Sequence, residues 1–85
     1  MIQRTLLALS DPTRREILRM LKKGDRTVGE ISKRFDVSVP AISRHLSVLK
    51  DAELVFARRE GKYICYSLQI DRIDDAVEWL KEFLR

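Results

Sequence analysis

The 85 residues hold one cysteine, one histidine, two prolines and three glycines. A lone Cys65 excludes an intramolecular disulfide framework and points to a reducing, cytoplasmic setting. With one histidine, one cysteine, no glycine-rich phosphate loop and no paired catalytic constellation, the chain is not expected to be an enzyme, and no cofactor is implied. No apolar run is long enough to span a bilayer, so no membrane segment is expected. The opening "MIQRTLLALSDP" has too short an apolar stretch for a signal peptide and lacks a small-residue cleavage site. No linker, repeat or low-complexity tract divides the chain, and residues 1–85 read as a single domain.

What is present is charge and helical periodicity. Charged residues make up 35% and hydrophobic ones 45%, the balance of a globular domain with a modest core. The net charge of +4 is unevenly spread. Residues 1–26 carry seven basic and three acidic groups, and residues 38–62 carry five and three. Residues 63–85 reverse the balance, with three basic and five acidic. The first two-thirds would suit a polyanion and the last segment would not.

Residues 2–9, "IQRTLLAL", read as a short apolar helix. "SDPTRREILRMLKK" has Asp11 as an N-cap, Pro12 at the first helical position and Gly24 beyond the end. Ile17, Leu18 and Leu21 form its apolar stripe, with Arg15, Arg19, Lys22 and Lys23 opposite. Arg14 falls on the apolar side, where a guanidinium must find a carboxylate or carbonyl or snorkel outward, so a structural role is favoured over DNA contact. "TVGEISKRF" carries Thr27 and Glu30 at capping-box spacing, with Val28, Ile31 and Phe35 inward. After the short turn "DVS", Ser38 caps "VPAISRHLSVLK", and two helices so joined form a helix-turn-helix.

Beyond Ala52 the period changes. "ELVFARREGKYICYSL" holds two β-branched and aromatic runs around Gly61, a hairpin pattern. Alternation puts Ile64, Tyr66 and Leu68 on the expected core face, and Tyr63, Cys65 and Ser67 on the other. "DRIDDAVEWLKEFLR" reads as a closing helix capped by Asp71. Its stripes, Ile73, Val77, Leu80 and Leu84 beside Ala76, Trp79 and Phe83, exceed what one small core needs. The first helix, with Ile2, Leu6 and Leu9, is also mostly apolar. A two-fold interface formed by the first and last helices would use the surplus, giving a homodimer. The fold expected is mainly α with a β-hairpin wing, a winged helix-turn-helix.

The fourth helix has a second face that calls for a use. At about 100° per residue, Ile42, His45, Leu46 and Leu49 cluster on one side, and Pro40, Ser43, Arg44 and Ser47 roughly opposite. That opposite side has no large aliphatic residue, yet is short of the Glu and Lys of a merely wet face. Small hydroxyls beside one arginine suit close approach to a DNA groove, with arginine the natural bidentate partner of guanine. Ser38 and the first-turn N–H groups are placed to hold a phosphate. Arg58, Arg59 and Lys62 around Gly61 add a basic tip able to reach a flanking minor groove or its phosphates. His45 borders the apolar stripe, and packing and base contact are both open to it. Cys65 is a small strand residue by default, since a redox switch would want a resolving thiol.

"LSDPTRREIL", "SVPAISRHLSVLKDAELV" and "REGKYICYSL", in this order, resemble the ArsR-type (ArsR/SmtB) winged-helix repressors over nearly the whole chain. The resemblance implies a homodimer on an imperfect inverted repeat in double-stranded DNA, repressing its own operon. It maps groove contacts onto Ser38, Val39, Pro40, Ser43 and Arg44, and wing contacts onto Arg58, Arg59 and Lys62. Arsenic-type sensors of this family carry two cysteines where Thr27 and Gly29 stand here, and neither can supply a thiolate. Zinc-type sensors use histidine with carboxylates in the last helices; Asp71, Asp74, Asp75, Glu78 and Glu82 come here without a histidine, and read as solvated acids. No metal site is expected, which resembles the metal-independent, SdpR-like branch, where control passes through expression or a regulatory protein partner. Two alternatives stand beside this reading: a winged helix used for protein–protein contact, and a metal-responsive repressor with a non-standard site.

Overall fold

The computed structural model describes residues 2–69 and 71–84. Helices α1 (Ile2–Leu9) and α2 (Pro12–Lys23) lead through a two-residue strand β1 (Arg26–Thr27) into α3 (Val28–Phe35) and α4 (Val39–Asp51). Strands β2 (Val55–Glu60) and β3 (Tyr63–Leu68) form a hairpin, and α5 (Asp71–Lys81) follows. This is the expected winged helix-turn-helix, with one strand more than the pattern had suggested. No helix among the described residues is long and apolar enough to cross a membrane.

The helix starts are local events, and they form where the capping residues stand. The Asp11 carboxylate accepts from the Arg14 N–H at 3.0 Å, with Pro12 in the first turn. That bond is the main cause holding its carboxyl below the ordinary value. Thr27 and Glu30 make the reciprocal box: Thr27 Oγ1 accepts from the Glu30 N–H at 3.2 Å, and Glu30 Oε1 from the Thr27 N–H at 2.8 Å. Ser38 Oγ accepts from the Ala41 N–H at 3.3 Å. The turn between α3 and α4 passes through Asp36 in the left-handed region at φ 55°, and Ser32 closes it by bonding the Val37 carbonyl.

Ala8, Ile17, Leu21, Ile31, Ile42, Leu46, Leu49, Ala52, Leu54 and Val55 form one core to which α1, α2, α3, α4 and β2 all contribute. Each fully buried Ile or Leu there is worth roughly 1.5–3 kcal/mol, so the inward side of α4 is fixed by three such residues. Val28, Phe35, Tyr66 and Leu68 pack on its edge.

The sheet is antiparallel in the order β1–β3–β2, with Thr27 and Arg58 flanking Cys65 from opposite sides. β1 escapes pattern reading because two residues carry no period. The hairpin turn is Gly61–Lys62, and Gly61 sits at φ 63° with open space where a Cβ would be, so backbone conformation and not room selects glycine. The facing of β3 differs from expectation. Tyr66 and Leu68 do pack on the core, but Ile64 is exposed, because it lies opposite Arg59 near the tip, where the hairpin extends past the body. Cys65 and Ser67, expected outward, are buried.

α5 also departs from expectation. Its helix stops at Lys81, four residues short of the expected end, and 82–83 form a turn. Arg85 lies outside the described residues. Asp71 is the first helical residue and not a cap preceding it. Ala76 is buried and Ile73 packs on the core, whereas Val77, Trp79, Leu80, Phe83 and Leu84 stay exposed. Trp79 and Phe83 meet edge to face, with ring centroids 5.0 Å apart.

The junction of α1 with α2 rests on arginine. The last carbonyls of a helix have no partner of their own, and α1 has no basic residue in its last turn. α2 supplies two. Arg14 Nε donates to the Ala8 carbonyl at 2.8 Å and its Nη2 to Leu7 at 3.1 Å. Arg15 Nη1 donates to the Leu9 carbonyl at 2.6 Å. Arg14 thus has the structural role its position implied, and Arg15, placed opposite the apolar stripe of α2, also clasps α1. Arg14→Met keeps the stem and removes the donors. Charged hydrogen bonds of this kind contribute about 1.5–3 kcal/mol, so an unfolding free energy lowered by about that amount is expected, read as a lower urea midpoint at unchanged slope, and an unchanged midpoint would remove the clamp from the account.

Candidate nucleic-acid interface

The burial of Ile42, Leu46 and Leu49 on α4 dictates what its other side presents. Ser38, Val39, Pro40, Ser43, Arg44 and Ser47 are all exposed on it. Asp51 is the only acid in α4, in its last turn, so the positive N-terminal end of the helix and Arg44 share one positive field. Arg44 has no hydrogen bond or ion pair among the described residues, and its five donors are free. Ser38 spends a lone pair on the Ala41 N–H and retains its O–H as a donor. Hydroxyl, guanidinium and backbone donors of this kind are what phosphate oxygens and guanine edges accept.

His45 sits differently. It is half-buried at the margin of that face, with Nδ1 3.3 Å from Arg14 Nη1 and 3.9 Å from Asp11 Oδ2. Nδ1 thus faces both the Arg14 guanidinium and the Asp11 carboxylate. The residue joins α4 to the α1–α2 clamp.

The wing separates its three basic residues. Arg59 and Lys62 are exposed at the tip, with the Lys62 ammonium 5.9 Å from the centre of the Tyr63 ring. Arg58 is exposed but engaged by the protein's own groups: Nε meets Glu60 Oε2 at 2.7 Å, Nη2 meets Asp25 Oδ2 at 2.8 Å, and Nη1 donates to Ser67 Oγ at 2.6 Å. Glu60, then Asp25, raises the Arg58 pKa above its ordinary value, and Arg58 in turn holds the Asp25 carboxyl below its own. Adjacent arginines look alike in a sequence. Only strand alternation together with the distant Asp25 distinguishes them, and the Asp25 contact had no signal in the chain.

Among the described residues no group of three or more His, Cys, Asp or Glu side chains could hold a metal ion. Thr27 is committed to its capping box and Gly29 offers no ligand. Asp71, Asp74, Asp75, Glu78 and Glu82 are exposed, and Glu78 pairs with Lys81 at 3.3 Å.

The α1 and α5 residues expected at a subunit interface divide in two. Leu6, Val77, Leu80, Phe83 and Leu84 are exposed by 38 to 75%. Ile2, Leu9 and Ile73 are half-buried, the last two against the chain's own core.

Comparison with known proteins agrees with this architecture. Residues 11–56 match the family described as "Bacterial regulatory protein, arsR family". The transcriptional repressor SdpR of Bacillus subtilis is 47% identical over 77 residues, 91% of this chain and 86% of that protein. An ArsR-like transcriptional regulator from Rhodococcus superposes with a TM-score of 0.89 at 31% identity, covering 95% of this chain and 74% of the other. HlyU from Vibrio cholerae superposes with a TM-score of 0.77 at 32% identity, covering 95% and 88%. The helix-turn-helix, the wing and these likenesses together establish that the chain belongs to the arsR family of bacterial regulatory proteins.

Proposed function

We propose that this protein is a homodimeric transcriptional repressor that binds an inverted-repeat operator in double-stranded DNA, its own promoter included. The observation that carries the reading is the exposed face of α4, where Ser43, Arg44 and Ser47 stand opposite a fully buried aliphatic side. A surface used for protein contact would present large apolar anchors there. Val39 is the only sizeable aliphatic on it. Ser38, Val39, Pro40, Ser43, Arg44 and Ser47 are assigned to the major groove and Arg59 and Lys62 to the flanking backbone. His45 and Arg58 are assigned to support behind that surface. The repressor named SdpR in Bacillus subtilis supports repression as the outcome.

The dimer is assigned to the exposed parts of α1 and α5, through Leu6, Val77, Leu80, Phe83 and Leu84. A standard interface takes roughly 800 Å² from each partner, a small part of the 5930 Å² that this chain exposes. Two recognition helices on one two-fold axis then meet successive major grooves. Control without a thiolate or histidine metal site is part of the proposal, since Thr27 and Gly29 stand where arsenic-type sensors place cysteines. It leaves expression level or a regulatory protein as the release signal.

Arg44→Ala is expected to lose about 1–3 kcal/mol on promoter DNA and to relax the choice at one base pair, measured by titration of single-base operator variants. Equal losses on promoter and random DNA would refute base reading by Arg44. Leu80→Glu, which spares the buried Ala76 contact, is expected to yield a folded monomer by sedimentation with promoter affinity reduced at least tenfold. A stable dimer in that variant would move the interface elsewhere.

A further inference from the structure

We infer that Arg58 is a positioning residue that straps the wing to the entrance of the helix-turn-helix, with Asp25 as its anchor. β2 and β1 are the two edges of the sheet, and β3 runs between them. Arg58 stands on β2, while Asp25 lies in the segment leading into β1, two residues before the Thr27 cap of α3. The guanidinium therefore crosses the full face of β3 to reach it. Neighbouring strands are about 4.8 Å apart, so the strap spans the two intervals of this sheet and needs the longest cationic side chain. On the way Nη1 bonds Ser67, and the cross-strand partner of Arg58 is Cys65. These are the two β3 residues whose burial on the supposedly outer face alternation alone did not anticipate, and the strap accounts for it. Glu60 holds Nε from the tip side and orients the fork. Three partners, from the loop, the central strand and the tip, take three of the five guanidinium donors and fix its orientation within the protein, although the side chain stays 41% exposed.

The consequence is geometric. The hairpin extends past the body and its distal residues have nothing to pack on, so its angle to α3 and α4 needs a tether. Arg58 and Asp25 provide one, and Arg59 and Lys62 are thereby aimed at the DNA flanking the α4 groove. This inference rests on the assignment of α4 and the wing tip to DNA.

Arg58→Met and Asp25→Ala test it by sign. If Arg58 touched phosphate, Arg58→Met would reduce the salt slope of promoter binding by about one, and Asp25→Ala, which removes a negative charge and frees the arginine, would tighten binding. A strap predicts the reverse. Both variants weaken promoter binding about two- to fivefold, the range for a partly exposed pair, with the salt slope unchanged, and the double variant is no worse than either single one. Hydrogen exchange on the DNA-free protein gives the second readout: both variants should speed exchange of the β2–β3 amides while leaving α4 protected. Tighter binding by Asp25→Ala, or wing exchange unchanged in both variants, overturns the strap. If the parent protein shows no promoter preference, the DNA assignment fails, and the exchange experiment still decides whether the strap exists.

Discussion

The Arg14 guanidinium is the contact on which the other elements depend. It lies on the apolar side of α2, a position costly for a charge unless every donor finds an acceptor. The end of α1 supplies two such acceptors, the carbonyls of Leu7 and Ala8, and the His45 ring of α4 lies 3.3 Å from the same guanidinium. A single side chain therefore sets three helices against one another: α1, which carries part of the proposed subunit surface, α2, and the α4 helix proposed to read DNA. Asp11, capping α2 beside the same cluster, lies 3.9 Å from His45 and adds a carboxylate to the junction. The polar groups here complete one another, so an element as short as α1, eight residues long, is held in register by more than its few buried side chains.

From that junction the proposed DNA surface is built by exclusion. Ile42, Leu46 and Leu49 commit one side of α4 to the core, and the side left over is small, hydroxyl-rich and cationic. The same logic divides the wing. Arg58 shares a sheet face with Cys65 and Ser67 and is drawn into contacts within the protein, whereas Arg59 and Lys62 are left outward at the tip. Positive charge is thus of two kinds: arginines that hold elements together, and arginines and lysines with donors to spare.

Much of this was legible in the chain because it is local. Asp11–Pro12, Thr27 with Glu30, and Ser38 mark helix starts through bonds that close within three residues, and all three stand where the sequence places them. The α4 faces were legible for a related reason, since a 3.6-residue period separates inside from outside without knowledge of the partner. Apart from Asp71, which opens α5 and does not cap it, what failed was non-local. Alternation shows which residues of β3 share a face, but not that Arg58 covers Cys65 or that Ile64 extends beyond the core. β1 exists only because β3 pairs with it. The Arg15 contact has no signal in the chain because its acceptor belongs to another helix. On α5 the period identified the apolar residues, while the end of the helix at Lys81 has no local signal in "KEFLR".

The account stands or falls on whether the serine and arginine face of α4 distinguishes one DNA sequence from another. The direct measurement is a binding titration of the purified protein against DNA from its own upstream promoter and against random DNA of equal length, each at two salt concentrations. Saturable promoter binding with a gap over random DNA that persists at the higher salt is the predicted result, because base contacts add to the phosphate contribution. Equal binding to both DNAs that falls steeply with salt would contradict it, leaving only a basic protein on a polyanion.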